Sequence, residues 1–406
     1  MLVIGAGVVG MACALTLQRR GRAVWVADPQ APGAGCSFGN AGVIATDHVL
    51  PLARLDVLRR VPRMLLDADG PLYLKAARVP GLLPWFARFA LAARPGRVAA
   101  GTRAIADLTG RALPAWQRLL GNDGARLLKR QGMYTAYRSA RAFDADAAER
   151  ELAAGFGVPW EALDGDALRI REPALGAGLE RAVYYPDVAH VTDPQGVVRH
   201  LADAFAQAGG RLIEAAVTGL DATADGVRAR TDAGPIAAGH LVIAAGLGSR
   251  GLCRRLGVRV PLAAEMGYHV TVAGAQQRLG APVAVADGGF IVTPMGDHLR
   301  AAGTVEFARR EGPPAWHRAD ALWRQASALF REPLPAATGR WRGSRPTLPD
   351  FLPAIGPLPG QPRVLAAFGH QHIGLTTAAV TAELVAALLA GERPELDPAP
   401  YQPGRF

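Results

Sequence analysis

A chain of 406 residues, half of them apolar, is long enough to bury two cores and points to two domains. Its net charge of +10 comes from 45 Lys and Arg against 35 Asp and Glu. Lysine supplies only Lys75 and Lys129, and the arginines are dispersed. No basic tract marks a nucleic-acid footprint, so no nucleic-acid partner is expected, while anionic small molecules or an anionic membrane surface stay open as partners.

Cys13, Cys36 and Cys253 show neither a paired framework nor metal-ligand spacing, which suits a reducing compartment. No apolar run reaches the roughly 18 residues of a membrane span. The first strand begins at residue 2, with no room for a signal peptide before it. The expected location is cytoplasmic, with peripheral attachment to the inner face of the cytoplasmic membrane as an option.

Leu2-Val3-Ile4 reads as a buried parallel strand, followed at once by Gly5-x-Gly7-x-x-Gly10 and a helical pattern over 8–20. Gly21 stops that helix, and a second apolar strand, 23–27, ends at Asp28. Each residue type has a job in a dinucleotide site. Gly5 permits the tight turn, Gly7 lets backbone approach a pyrophosphate, and Gly10 lets helix and strand pack closely. The helix N-terminus offers free N–H groups and a positive dipole end to the phosphates. Asp28 follows at about the 20-residue distance that suits a ribose-binding carboxylate, which favours FAD or NAD over NADP. The motif does not choose between those two.

Residues 29–45 are rich in glycine and other small residues, as a loop wrapped around a cofactor would be. Residues 46–100 read as an irregular, partly helical excursion broken by prolines. Within it, 82–93 is apolar and aromatic with arginines around it; it reads as a core helix, with an interfacial membrane-docking helix as the alternative. Helices are predicted at 101–130, 144–154, 194–208 and 315–330. Strands are predicted at 130–137, 182–185, 212–217 and 240–246, and a small hairpin at 227–238. Further strands are predicted around 268–272, 290–294 and 299–304. A last strand, 364–368, enters Gly369-His370-Gln371-His372-Ile373-Gly374, and a helix over 376–389 stops at Gly391.

Five segments carry a resemblance: VIGAGVVG at 3–10, GCSFGNAGVI at 35–44, VIAAGLGSR at 242–250, LRAAGTVEFA at 299–308, and WRGSRPTLPDFLPAIG at 341–356 joined by AFGHQHIGLT at 367–376. In this order they resemble the flavin-dependent oxidoreductases of the D-amino-acid oxidase superfamily, and most nearly the bacterial D-amino-acid dehydrogenases. GPLYL at 70–74 and LLPWFARF at 82–89 also resemble dehydrogenase segments. The implied fold is α/β (α+β): a discontinuous Rossmann-like FAD-binding domain (1–80, 186–250 and 340–406) with an antiparallel-sheet substrate domain (81–185 and 251–339).

The resemblance implies FAD as cofactor. It assigns Gly5, Gly7, Val8, Val9 and Gly10 to the pyrophosphate turn and Asp28 to the adenosine ribose. Ser37, Asn40, Ala41, Gly42, Val43 and Ile44 would lie against pyrophosphate and flavin, Val217 against adenine, and Ala245 and Gly246 near the dinucleotide. Gly343 would approach the flavin. Gly369, His370, Ile373, Gly374, Leu375 and Thr376 would surround its pyrimidine end, where backbone N–H groups and a helix N-terminus favour the negative charge of the reduced ring. His370 and His372 lack a third ligand at a fitting spacing, so no metal is expected.

For the substrate, Arg345 is the candidate for a carboxylate, because a guanidinium binds one bidentately; a structural ion pair, as with Asp350, is the competing role. Tyr268 is either a phenol on that carboxylate or an ordinary strand tyrosine. Gln371 and His372 would face the substrate amine, and His48 is a further candidate or plain loop. Phe290, Val292 and Leu348 would either line a ring pocket or fill the core. The implied activity is dehydrogenation of D-amino acids or cyclic D-imino acids such as D-proline and hydroxy-D-proline, with hydride passing from the α carbon to flavin and electrons leaving to a quinone or another acceptor. The alternatives are a glycine- or sarcosine-type oxidase using oxygen, a 2-hydroxy-acid dehydrogenase, and a flavin subunit active only in a larger complex.

Overall fold

The computed structural model describes residues 1–67, 70–223, 225–308 and 312–406. Its organising layer is a six-stranded sheet in the order Arg211–Glu214, Trp25–Asp28, Leu2–Ile4, Leu241–Ile243, Gln361–Phe368, Ala354–Leu358. The first five strands run parallel and the last returns antiparallel. Parallel strands are covered on both faces, and Leu2, Val3, Ile4, Leu241, Val242 and Ile243 are all buried.

One face is covered by the first helix, Val8–Arg19, with Pro194–Gln207 and Gly374–Ala390 beside it. The first and last of these helices are built largely from Ala, Gly, Thr and Val, which lets their axes lie close. Gly391, in the left-handed conformation at φ 70°, ends the last one. Asp193 caps Pro194–Gln207 by accepting the Gly196 N–H at 2.8 Å. Helices Pro95–Gly110 and Ala112–Gly124 join the same core, where the Trp116 indole donates to the Leu375 carbonyl at 2.8 Å.

The other face is covered by a three-stranded sheet, Val217–Ala222, Val227–Thr231 and Gly234–Ala238. The expected hairpin thus has a third strand. Val217 opens that strand and does not end the preceding one, because the chain leaves the large sheet after Glu214.

A nine-stranded, mostly antiparallel sheet forms the second layer. Its long strands, Gly339–Thr347, Ala263–Ala273 and His298–Phe307, lie side by side, and Trp316–Ser327 packs on one face. The expected boundaries at 80 and 340 cut across this sheet, since Leu72–Leu74 pairs with His298–Phe307 and Gly339–Thr347 with Ala263–Ala273. Helix Val79–Ala92 is split by its own spacing: Leu82, Trp85, Phe89 and Ala92 are buried beside Phe307 and Phe351, while Leu83 and Leu91 face outward.

Candidate active site

The glycine turn is dictated by close approach. Gly5 sits at φ 112°, and a Cβ there would lie 2.4 Å from the Ala244 carbonyl oxygen. A Cβ on Gly10 would lie 1.9 Å from the Gly5 carbonyl oxygen. The same crossing brings Ala245 and Gly246 against the turn, with the Ala245 Cα 3.0 Å from the missing Gly5 side chain. Gly7 precedes the first helix without a side-chain cap of its own, and the Val8 N–H donates to Ser37 Oγ at 3.0 Å. Val9 lies half-buried in the same first turn.

Asp28 closes the second strand beside the turn. Its carboxylate accepts the Ala6 N–H at 2.8 Å and the Gln30 N–H at 2.9 Å, so the group is fixed while each oxygen keeps a lone pair for a ribose hydroxyl. A cradle that any side chain would fill, a helix N-terminus and a fixed acid fit the adenosine diphosphate half of FAD.

The loop after Asp28 returns to this turn through Ser37. Asn40 braces it from within, donating to the Ser37 carbonyl and accepting the Gly42 N–H, both at 2.7 Å. Beyond Ala41, Gly42 takes φ 76°, and a Cβ there would lie 2.6 Å from the Val191 carbonyl oxygen. Val43 and Ile44 pair with Ala189–Val191, and Thr376 Oγ1 accepts the Ala45 N–H at 3.0 Å. The loop is therefore tied to the N-termini of both the first and the last helix.

The tail turn is also strained into shape. Gly369 stands at φ 82° and Gln371 at φ 48°, ahead of Ile373 and the helix that starts at Gly374. His370 turns into the protein, where its Nε2 lies 2.9 Å from Thr381 Oγ1 and burial lowers its pKa to about 3. Only its backbone can face a cofactor. Leu375 is buried in the helix core, whereas Gln371 is buried with its side-chain nitrogen unpartnered.

His372 meets His48 edge to face, ring centres 5.0 Å apart. The His372 residue is solvent-exposed while its neighbour His48 is half-buried. Burial, then His48 and Arg345, hold His372 well below its usual pKa. Burial and Arg54 lower His48 to about 4. Two neutral imidazoles thus stand together, His372 in the field of Arg345 and His48 in that of Arg54.

Strand alternation decides which sheet residues join them. In the paired register Glu265 lies opposite Arg345, Gly267 opposite Gly343 and His269 opposite Trp341, and His269 reaches the Gly39 carbonyl of the loop at 3.1 Å. This face meets the cofactor loop. Arg345 lies on it across Gly267, where a Cβ would come within 2.3 Å of Nη2. Its Nη1 donates to Glu265 at 3.1 Å and to the Thr304 carbonyl at 3.0 Å, which leaves Nη2 and Nε for a carboxylate. The ion-pair partner is Glu265 and not Asp350, which is held by Arg405 at 2.6 Å. At Gly343 the Trp341 ring fills the space a side chain would need.

Tyr268 lies on the opposite face, so the expected phenol contact with a substrate carboxylate is corrected. It is buried with Met266 and Val270, its hydroxyl donating to Glu306 and accepting the Ala315 N–H at 2.9 Å. Phe290 and Val292 share that core face, and Leu348 is buried under Gly369. All three are core residues and not a ring pocket. Sequence reading missed Arg300, whose Nη1 donates to the Phe38 and Asn40 carbonyls at 2.8 and 2.9 Å. Its signal was a charged residue inside the apolar run LRAA, which a strand buries only with partners. Among the described residues, no group of three or more His, Cys, Asp or Glu is placed to hold a metal.

Comparison with known proteins agrees with this geometry. The family model for FAD dependent oxidoreductases matches residues 1–388. A D-amino-acid oxidase of Bradyrhizobium diazoefficiens is 35% identical over 414 residues, covering 100% of this chain and 98% of the relative. D-amino acid dehydrogenase 2 of Ralstonia nicotianae is 32% identical over 419 residues, with 98% of each chain covered. Glycine oxidase from Geobacillus kaustophilus shares the fold at a TM-score of 0.76 and 23% identity, covering 100% of this chain and 98% of that one. The chain belongs to the FAD-dependent oxidoreductase family and is an FAD enzyme.

Proposed function

We propose that this enzyme dehydrogenates D-amino acids or cyclic D-imino acids such as D-proline and hydroxy-D-proline. The observation that carries the reading is the cluster of Arg345, His372 and His48 on the side of the cofactor loop. Arg345 binds the substrate carboxylate through Nη2 and Nε. The two neutral imidazoles accept hydrogen bonds from the substrate nitrogen, and the nearby Arg345 and Arg54 cations disfavour an ammonium and favour the free amine. FAD, when bound, supplies the hydride acceptor. As the α C–H pair leaves, the nitrogen lone pair forms C=N and an imino acid results. The imino acid formed from a primary amine then takes up water and hydrolyses to keto acid and ammonia, while that formed from a proline-type substrate stays a cyclic imine. The names of the two relatives, a D-amino-acid oxidase and a D-amino acid dehydrogenase, support the substrate class.

Electrons pass to a quinone or another acceptor in preference to oxygen. Helices Leu55–Leu66 and Val79–Ala92 support a peripheral membrane dock, because they expose Leu65, Leu66 and Leu83 beside Arg59, Arg60 and Arg88. Among the described residues, no helix is long and apolar enough to cross a membrane. Dye reduction set against hydrogen peroxide release distinguishes a dehydrogenase from an oxidase, and co-sedimentation with anionic vesicles tests the dock. Peroxide produced in step with substrate, and no vesicle binding, would transfer the reading to the oxidase.

A further inference from the structure

The loop over 37–40 is held from two sides. On one side Ser37 Oγ meets the N-terminus of the first helix at Val8. On the other, the carbonyls of four successive residues are each engaged. The Asn40 side chain takes that of Ser37, Arg300 takes those of Phe38 and Asn40, and His269 takes that of Gly39. Arg300 and His269 both stand on the substrate-side sheet, in the strands His298–Phe307 and Ala263–Ala273.

Arg300 is 4% exposed, its Nε has no partner, and among the described residues no carboxylate lies within salt-bridge distance of it. Asp193 and Asp297 act on its charge only from beyond ion-pair distance, so this buried cation is held chiefly by its hydrogen bonds to the loop carbonyls. His269 is 2% exposed and stacks on Trp341 at 5.1 Å and 15°. Burial, then the Arg300 charge, lower its pKa to about 3. It is therefore a neutral imidazole, and because a carbonyl only accepts, the proton sits on Nδ1.

We propose that Arg300 and His269 are positioning residues through which the substrate-side sheet holds the FAD loop in its binding shape, with the buried Arg300 charge adding to the pull on a flavin that becomes negative when reduced. The inference rests on the family's cofactor and not on the substrate reading. A chain that binds FAD but oxidises no D-amino acid removes that reading and leaves this one standing.

The experiment measures FAD affinity by titrating the FAD-free protein, and the flavin midpoint potential, in Arg300→Met, Arg300→Lys, His269→Ala and His269→Asn. Circular dichroism checks that each variant is folded. Arg300→Met is expected to weaken FAD binding at least tenfold and to lower the potential. Arg300→Lys keeps the charge but reaches the two carbonyls less well, so it should recover the potential more than the affinity. His269→Asn keeps an N–H donor and should bind FAD more tightly than His269→Ala. A folded Arg300→Met with wild-type affinity and potential overturns the proposal. So does equal affinity of the two His269 variants, a comparison that stands even if Arg300→Met fails to fold.

Discussion

The pyrophosphate turn and the substrate cluster are built in opposite ways. The turn is backbone shape: Gly5, Gly7 and Gly10 act by what they lack, and the elements that need them, Leu2–Ile4, Val8–Arg19 and Trp25–Asp28, are consecutive in the chain. The substrate cluster is side chains brought together from afar, with His48 from a loop, Arg345 from a late strand and His372 from the tail turn. At Gly5 and Gly10 the first tolerates no added atom, whereas the second depends on which face each strand residue occupies. Damage to the turn should therefore remove the cofactor, and damage to the cluster should alter substrate use while the flavin stays bound.

The largest effect belongs to Gly10→Ala, because a Cβ 1.9 Å from the Gly5 carbonyl oxygen must push helix from strand. Loss of more than about 3 kcal/mol of stability is expected, seen as protein that purifies colourless or not at all. A yellow Gly10→Ala protein with unchanged melting temperature would break the contrast at its stronger end.

Arg345→Ala is expected to raise the Michaelis constant for carboxylate substrates about 10- to 100-fold, as loss of a charged hydrogen-bond pair does, while FAD remains bound. It also leaves Glu265 buried without its ion pair, so Arg345→Ala/Glu265→Gln separates binding from stability. If the double variant regains both stability and the wild-type Michaelis constant, Arg345 is only a structural ion pair.

Tyr268→Phe sharpens the difference between the two faces of one strand. Removing a hydroxyl bonded to Glu306 and Ala315 should cost about 1–2 kcal/mol of stability and change the Michaelis constant less than about twofold, within ordinary surface-mutation energies. A large kinetic effect with unchanged stability would return Tyr268 to the site.

The smallest effect concerns Asp47, whose carboxyl burial raises to about 6. The folded state then holds a proton between about pH 4 and 6 that the unfolded state has lost, so stability falls as pH rises through that window. Asp47→Asn should raise the melting temperature at pH 8 and leave it nearly unchanged at pH 4.5. The histidines act with the opposite sign: His48 and His372 are depressed in the folded state, and their stabilisation is lost as pH falls below about 6.5.

The same contrast explains what could be read in the sequence. The dinucleotide layer was legible because Gly5 to Asp28 spells strand, turn, helix and strand within one local run, and Gly391 marks the end of its last helix. The facing of Tyr268, Phe290 and Val292 was not, because alternation fixes only that neighbours point apart. Pairing with Gly339–Thr347 and His298–Phe307 decides which face meets the loop. Arg345 was nameable from its residue type, but its partner Glu265 lies across a strand pair that no local pattern announces. Arg300 and His269 were hidden for the same reason, since both act through backbone carbonyls of a segment more than two hundred residues away.

The most direct measurement is the anaerobic absorbance spectrum of the purified protein before and after adding D- and L-amino acids and D-proline analogues. Bleaching of the bound flavin by D-compounds, with L-compounds inert, is the expected result. A yellow protein that no D-amino or D-imino acid bleaches would contradict the proposed function and point to a 2-hydroxy acid or to a subunit that needs its complex.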